Sequence, residues 1–264
     1  MLEFDKLSYC IHSASQGQEG LRPILNEVSL RVPTASIVGI LGPSGCGKST
    51  LFNCAAGLKM PTSGAIYLDG KKSFSVPERS AYMLQNDMLL PTKTVLDNVA
   101  LPLRIRGVPK HEARRQALQS LKDFHLETSA HNWPRELSGG MRQRVSFVRA
   151  TLSLADHWLL DEPFSALDAF TKASMHEWFL RLQATKELTT LLITHDIEEA
   201  LLLCDSIAVM AGNPSQGIPG HIVCVLEINR QELGRFEFVR SSFACDVREE
   251  IYAALSTKED TRAC

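Results

Sequence analysis

Apolar and polar residues follow two different periods along this chain, and together they predict an α/β protein. Residues 1–34 show the two-residue alternation of half-buried strands, with a polar loop expected from His12 to Gly20. Later segments alternate between short apolar runs and helical spacing, which is typical of parallel strands connected by helices. We predict further strands at residues 36–41, 65–70, 80–85, 157–161, 189–194, 206–210 and 221–228, and helices from about residue 48 and at 139–152, 169–184, 197–203 and 247–255.

One region has only the helical pattern. From Asp87 to about Trp133 no strand is evident, and residues 94–105 and 110–124 have helical spacing. Prolines bound this region, so we predict a helical subdomain inserted at about residues 87–150. The main domain is then residues 1–228, with a mostly parallel sheet and antiparallel strands at its N-terminus. Residues 229–264 form a short C-terminal tail, which we expect to pack on the core.

Composition narrows the class of protein. The chain has 264 residues, of which 44% are apolar and 22% charged, as expected for one large globular domain with or without an insert. Its formal net charge of -2 argues against a dedicated nucleic-acid-binding protein. Seven scattered cysteines without a C-x-x-C pair fit a reducing compartment. No apolar run reaches the roughly 18 residues of a membrane span, and we expect no secretion signal.

The strongest chemical signal is a nine-residue stretch between a predicted strand and a predicted helix. Its glycines let backbone N–H groups face an anion, and the following helix adds the positive end of its dipole. Lys48 can then reach the β- and γ-phosphates, and the Ser49 hydroxyl can bind Mg²⁺. The alternative is a glycine-rich turn with a surface lysine, but the flanking strand and helix favour a nucleoside-triphosphate site. The stretch consists of Gly42, Pro43, Ser44, Gly45, Cys46, Gly47, Lys48, Ser49 and Thr50.

Cys46 lies inside this phosphate loop. Its position close to a helix N-terminus and to Lys48 favours the thiolate form. We therefore expect thiol reagents to react with Cys46 and to block nucleotide binding.

Two further stretches carry groups that could act on a triphosphate. An apolar strand ends in Asp161, which could hold Mg²⁺, and Glu162, which could polarise a water for attack on the γ-phosphate. Paired acids can also form a solvated turn, but the apolar strand before them favours a site. In residues 137–144, Ser138 is a good N-cap for an arginine-rich helix that opens with two glycines. That stretch is either a capped helix with a basic face or a second phosphate cradle offered to another copy.

These motifs resemble those of ATP-binding cassette (ABC) ATPases and occur in the order of that family. Residues 161–172 and 194–200 are similar to bacterial importer subunits of the nitrate, sulfonate and taurine group, which includes carriers of thiamine-precursor pyrimidines. The resemblance implies a P-loop NTPase (RecA-like) core with an inserted helical subdomain. It covers about residues 2–228 and comprises the phosphate loop 42–50, the Q-loop Gln85, the signature 137–143, Asp161 and Glu162, the D-loop 165–168 and the switch His195.

The resemblance also implies roles for these residues. Two copies would pair head to tail and enclose two ATP molecules, with Asp168 linking the sites across the interface. Each ATP would lie between the phosphate loop of one copy and the signature residues of the other, which are Ser138, Gly139, Gly140 and Gln143. Lys48, Glu162 and His195 would be catalytic, while Ser49, Gln85 and Asp161 would hold Mg²⁺ and Gln85 would sense the γ-phosphate.

The implied partners are a second copy and a separate membrane permease, whose helices would dock near residues 88–98. An extracytoplasmic solute-binding protein would be an indirect partner, and no nucleic acid is expected. The protein would work in the cytoplasm, at the inner face of the cell membrane. The solute class implied is a small organic or inorganic anion or a vitamin precursor, but this chain does not identify the solute, because specificity belongs to the permease and the binding protein.

Two positions depart from the family's pattern. The fifth signature residue, usually glutamine, is Met141. The first-strand position whose aromatic ring stacks on adenine is Ile11 here, with Tyr9 two residues earlier. Either Tyr9 takes over this role, or base stacking is weak and nucleotide selectivity is relaxed.

Similar motifs occur in other classes of protein. A cassette ATPase without a permease, as in DNA repair or translation, would need long coiled-coil inserts or a second cassette, and the sequence contains neither. An exporter ATPase stays open, because the direction of transport depends partly on the permease. A kinase or GTPase would leave the signature unexplained, and the sequence has no N-K-x-D guanine motif.

Overall fold

The chain folds into two structural units, and a computed structural model describes residues 1–15, 18–73 and 80–256 of it. The first unit comprises Met1–Pro77 together with Leu182–Cys264, and the second comprises Glu78–Arg181. The strands are β1 (Leu2–Ser15), β2 (Gln18–Val32), β3 (Ile37–Leu41), β4 (Ser63–Leu68), β5 (Lys71–Ser73), β6 (Ser80–Met83), β7 (His157–Asp161), β8 (Thr189–Ile193), β9 (Ser206–Asn213) and β10 (Ile218–Glu227). The helices are α1 (Lys48–Ala55), α2 (Val95–Val99), α3 (Leu101–Ile105), α4 (Lys110–Asp123), α5 (Gly139–Thr151), α6 (Ala169–Lys186), α7 (Ile197–Leu203), α8 (Arg235–Val239) and α9 (Ser242–Ser256).

In the first unit, β3 is a central strand of a mixed sheet. It lies between β8 and β9, parallel to both, and all of its residues are buried. A strand covered on both faces must be apolar throughout, which explains the continuous apolar run at this position. β10 pairs antiparallel with β9 and parallel with β2, and β2, β1, β4 and β5 follow as antiparallel neighbours.

The second unit contains the parallel strands β6 and β7 and the helices α2 to α5. No strand lies between residues 84 and 156, a range that the structure describes throughout. The core is a cluster of aromatic rings around the fully buried Phe147 of α5. The centroid of the Phe147 ring lies 5.8 Å from that of Trp158, 5.5 Å from Phe164, 5.7 Å from Trp178 and 6.2 Å from Phe179.

The α/β fold class with antiparallel N-terminal strands is confirmed, but the predicted loop from His12 to Gly20 is wrong. β1 and β2 stay paired along this stretch as far as the pair Ser15 and Gln18. His12 and Gly20 are exposed, so polarity at these two positions marks solvent contact and not the end of strand pairing. Residues 16 and 17 lie outside the described residues.

Hydrogen bonds and ion pairs hold the C-terminal residues of the first unit against β3 and α7. The Asp205 carboxylate accepts a hydrogen bond from the backbone N–H of Ile37 at 2.9 Å and contacts the guanidinium groups of Arg230 and Arg235. Both arginines also donate to the last carbonyl groups of α7, where a cation complements the helix dipole. The short helix α8 was missed and α9 begins before its predicted start, because neither buries a long apolar stripe.

No helix in the described parts of the chain combines the length and apolar character that crossing a membrane requires.

Replacing Phe147 with alanine is expected to lower the free energy of unfolding by about 3–5 kcal/mol, because it leaves a cavity among five other rings, including that of Phe124. Denaturant unfolding measures this change. Phe170 is the matched control, since it is 90% exposed. Phe170→Ala should change stability by less than about 0.5 kcal/mol, and equal losses in the two variants would contradict the central place of Phe147.

Candidate functional site

The phosphate loop lies between the end of β3 and the start of α1. Gly45 and Gly47 have φ angles of 81° and 112°, in the left-handed region that favours glycine. A Cβ atom on Gly47 would lie 2.8 Å from Leu25 Cδ2, and one on Gly42 would lie 2.3 Å from the carbonyl oxygen of Met210. The loop backbone is therefore packed against β2 and β9 too closely for side chains at these glycines.

Lys48 folds back towards the start of this loop. Its Nζ donates hydrogen bonds to the carbonyl oxygens of Gly42 at 2.7 Å and Pro43 at 2.8 Å. The first turn of α1 contains no acidic residue, so nothing in that turn opposes the positive end of the helix dipole. The loop thus combines an ammonium group, a helix N-terminus and the exposed segment 43–45. This arrangement is suited to binding phosphate oxygens.

The Cys46 thiol is buried, which disfavours the predicted thiolate. Its side chain is 0% exposed, and burial raises its pKa although the Lys48 ammonium acts in the opposite direction. The cost of desolvating the thiolate outweighs the nearby positive charge. The prediction of a favoured thiolate at Cys46 is therefore wrong.

His195 belongs to the same edge of the sheet as the phosphate loop. It follows β8, whose Ile193 lies opposite Ile40 of the parallel strand β3. The carboxyl ends of neighbouring parallel strands meet at one edge, so the loop after β3 and the exposed His195 leave the sheet side by side. A cavity of about 630 Å³ adjoins both and is lined by Leu41, Gly42, Pro43, His195, Asp196, Ile197, Glu198, Tyr252 and Leu255.

In the second unit, Gln85 and Glu162 are in contact at the ends of β6 and β7. The Gln85 side-chain amide donates to Glu162 Oε2 at 3.2 Å. The backbone of Glu162 has a φ of 50°, which is uncommon for a residue other than glycine. Its carbonyl oxygen accepts hydrogen bonds from Ser165 Oγ at 3.0 Å and Gln143 Nε2 at 3.3 Å, and these bonds hold the unusual conformation. The preceding residue, Asp161, is buried at the end of β7.

The signature residues begin helix α5 of the same unit. The Ser138 side chain accepts a hydrogen bond from the Met141 N–H at 3.2 Å, which is the predicted N-cap. Ser138 and Gly139 are exposed, and a Cβ atom on Gly140 would lie 3.2 Å from the Ala166 carbonyl oxygen of the D-loop. Gln143 lies apart from this exposed group, because it is buried and bonded to Glu162.

Asp168 ends the D-loop and caps helix α6. Its carboxylate accepts hydrogen bonds from the Thr171 hydroxyl at 2.7 Å and from the Thr171 N–H at 3.0 Å. The bonds from Thr171 lower the pKa of Asp168 from its ordinary value. The exposed carboxylate is therefore ionised at neutral pH and fixed in direction.

Two arginines that were not predicted as functional residues hold the segment after Gln85. Arg142 Nε donates to Asp87 Oδ2 at 2.9 Å, and Arg149 donates to the carbonyl oxygens of Asp87 at 2.8 Å and Met88 at 2.7 Å. Both arginines belong to α5, so the signature helix is bonded directly to this segment. Their spacing of two helical turns was a usable signal, because it places both side chains on one face.

Asn98 holds the other end of that segment. It is fully buried, and its side chain bonds to backbone groups of Leu90, Lys93 and Thr94 at distances between 2.7 and 3.1 Å. Asn98, next to Asp97 in the otherwise apolar run 95–101, was the signal for this role, since a buried amide needs partners.

Tyr9 and Ile11, the two candidates for stacking on the base, both lie in β1. The pairing of β1 with β2 shifts register on either side of Tyr9. The Nζ of Lys59 lies 5.1 Å from the centroid of the Tyr9 ring, so a cation already contacts one side of that ring.

A glycine-rich loop on a parallel strand, with a lysine, a helix N-terminus and polar residues at neighbouring strand ends, defines a nucleoside-triphosphate-binding α/β protein. The chain belongs to the ABC transporter family, whose family model, described as "ABC transporter", matches residues 25–165. It is an ATP-binding ATPase of that family. The resemblance to the nitrate, sulfonate and taurine importer group is confirmed by its relatives.

Two curated relatives and one solved structure illustrate this membership. The chain is 39% identical over 249 residues to the formylaminopyrimidine import ATP-binding protein ThiZ of Halalkalibacterium halodurans, covering 94% of this chain and 95% of ThiZ. It is 43% identical over 195 residues to the taurine import ATP-binding protein TauB of Chromobacterium violaceum, covering 74% of this chain and 75% of TauB. The dimeric structure of the ATP-binding cassette MJ0796 bound to ADP and Pi matches with a TM-score of 0.77 and 28% identity, over 87% of this chain and 99% of that one.

Labelling with N-ethylmaleimide at pH 7 is expected to modify the exposed Cys245 long before Cys46, whose raised pKa keeps the thiolate fraction low. The Cys46 rate should rise as the pH increases towards its pKa, because a raised pKa moves thiolate formation to higher pH. Mass spectrometry of the labelled peptides measures both rates. Labelling in denaturant is the control for accessibility, and equal rates in the native protein would contradict this assignment.

Proposed function

We propose that this chain is the ATP-hydrolysing subunit of an importer and drives a separate permease by opening and closing as a head-to-tail pair. The observation that carries the proposal is the hydrogen bond between Gln85 and Glu162 at the ends of two parallel strands. It joins a residue able to sense the γ-phosphate to a residue able to position the attacking water.

In this mechanism the phosphate loop holds the β- and γ-phosphates of ATP. Lys48 presents an ammonium with three donors, and its bonds to Gly42 and Pro43 keep it at the loop. Glu162 accepts a proton from the water that attacks the γ-phosphorus, while the bond from that phosphorus to the bridging oxygen of ADP breaks. His195 donates a hydrogen bond to the γ-phosphate and stabilises the charge that spreads over its oxygens.

Ser49, Gln85 and Asp161 are the residues that would hold Mg²⁺. A hydroxyl, an amide oxygen and a carboxylate are the hard oxygen donors that this ion prefers. The described residues contain no cluster of three or more His, Cys, Asp or Glu side chains that could hold a metal. When bound, Mg²⁺ neutralises charge on the transferring phosphoryl group.

The second copy would complete each site with Ser138, Gly139 and Gly140. These residues are the start of a helix with a capped, unblocked N-terminus, which suits phosphate oxygens. Asp168 would contact the other copy through its fixed carboxylate. The dimeric form of the solved cassette MJ0796 supports this pairing.

The permease would dock on the segment between Gln85 and Asn98. Met88 is 57% exposed and Leu90 is 37% exposed, although the backbone around both is held by Arg149 and Asn98. A fixed backbone with exposed apolar side chains suits a partner helix. Docking there would place the protein at the cytoplasmic face of the membrane, with an extracytoplasmic binding protein delivering the solute.

The solute class that we propose is a small anion or a vitamin precursor. The support is the similarity to ThiZ and TauB, named for import of formylaminopyrimidine and taurine. For the nucleotide, we propose that the Tyr9 ring provides the base contact, because an aromatic face is available there and Ile11 offers none.

Glu162→Gln is expected to keep ATP binding but to lower the rate of hydrolysis by at least about 100-fold, because the amide cannot accept the proton. The variant should also accumulate as an ATP-bound dimer in size-exclusion chromatography. Glu177→Gln, an exposed change on α6, is the matched control and should keep full turnover. Turnover of Glu162→Gln within a few-fold of the native rate would remove Glu162 from the role of base.

Ser138→Arg is expected to prevent ATP-dependent dimerisation and hydrolysis, because it puts a bulky side chain where the other copy's γ-phosphate must enter. Binding of a fluorescent ATP analogue to the same chain's phosphate loop should persist. Ser174→Arg, on the exposed surface of α6, controls for the added charge and bulk. Dimerisation of Ser138→Arg at the native ATP concentration would contradict the head-to-tail arrangement.

A further inference from the structure

Helix α9 carries an arginine that binds the first turn of α7, just after His195. The guanidinium of Arg248 contacts the Glu198 carboxylate with both Nε and Nη2, and the Nη2–Oε2 distance is 2.9 Å. Nη2 also donates to the Val239 carbonyl oxygen at the end of α8, at 2.7 Å. The Arg248 side chain is only 22% exposed, so this contact is a fixed junction between three helices of the first unit.

We propose that Arg248 is a positioning residue for His195 and acts through Glu198 and the first turn of α7. This inference rests on the proposed function, because it concerns the catalytic role assigned there to His195. It gives the C-terminal helix α9 a part in ATP hydrolysis without any contact to the nucleotide. Helix α9 is itself anchored by the fully buried Ile251.

The path from Arg248 to His195 is short. His195 lies in a brief turn between the last residue of β8 and the first residue of α7. One end of that turn is fixed, because Ile193 pairs with β3. At the other end, Asp196 Oδ1 accepts a hydrogen bond from the Glu199 N–H at 3.2 Å, which joins the turn to the first turn of α7. Any displacement of this first turn therefore moves His195.

The ion pair of Arg248 and Glu198 lies beside a cavity that also adjoins His195. The cavity of about 630 Å³ lies between His195 and the side chains of Tyr252 and Leu255 from α9. The ion pair of Arg248 and Glu198 is a polar link between α9 and the first turn of α7. Because the Glu198 side chain is 54% exposed, the ion pair contributes little to overall stability. Its removal should thus change the geometry of the turn more than the stability of the fold.

The test compares Arg248→Ala and Arg248→Lys with Arg31→Ala, which breaks another arginine–glutamate pair, to Glu3 at 2.8 Å, in the β1–β2 hairpin. We expect Arg248→Ala to lower kcat about tenfold to 100-fold, the size of effect that small misplacements cause. The KM for ATP should change less than about twofold, since the phosphate loop is untouched. Arg248→Lys should keep part of the kcat that Arg248→Ala loses, because lysine retains the positive charge but not the bidentate contact with Glu198.

Hydrogen exchange of residues 194–203 gives a readout independent of hydrolysis. We expect faster exchange there in Arg248→Ala, and unchanged exchange in Arg31→Ala. Native exchange of this segment in Arg248→Ala would overturn the proposal, as would a lowered melting temperature with unchanged kcat, or an equal loss of kcat in Arg31→Ala. If the native protein fails to hydrolyse ATP, the proposed function is wrong, while the exchange data still decide whether Arg248 holds the turn.

Discussion

The close approach of the phosphate loop to neighbouring strands is the constraint on which the first unit depends. A Cβ atom on Gly220 would lie 2.0 Å from the Cys46 carbonyl oxygen, and one on Gly42 would lie 2.3 Å from that of Met210. The loop therefore takes its shape from β9 and β10, which come much later in the chain. Its N–H groups are directed by the folded sheet before any anion arrives, so phosphate binding does not have to order the loop.

Parallel pairing explains how distant parts of the sequence bring chemical groups together. β3 and β8 end side by side and deliver the phosphate loop and His195, while β6 and β7 do the same for Gln85 and Glu162. The residue after such a strand must turn sharply, and Glu162 does so in the left-handed region. That conformation costs free energy of order 1–3 kcal/mol. The bonds to the Glu162 carbonyl oxygen offset this cost and aim the side chain at Gln85.

The features that could be predicted from the sequence are those that depend on local residue patterns. β7, β8 and α7 were predicted within one residue of their bounds, because an apolar run between polar residues leaves few alternatives. The loop glycines and the Ser138 cap were predicted from local chemistry. The raised pKa of Cys46 and the bonds of Arg142 and Arg149 could not be predicted, because they depend on what the fold places around each side chain. Charge proximity in sequence suggested a thiolate, and only the structure shows that burial outweighs it.

The C-terminal residues, whose role the sequence left open, hold α7 at both of its ends. Arg230 and Arg235 bond to its last carbonyl groups, and Arg248 binds its first turn through Glu198. Helix α7 has only 7 residues, and helices below about 12–15 residues are marginal on their own. Its stability therefore depends on the Asp196 cap, on the packing of the buried Ala200, Leu201 and Leu203, and on bonds made by other elements. His195 lies two residues before α7 begins, so the positioning role that we propose for Arg248 acts through this short helix.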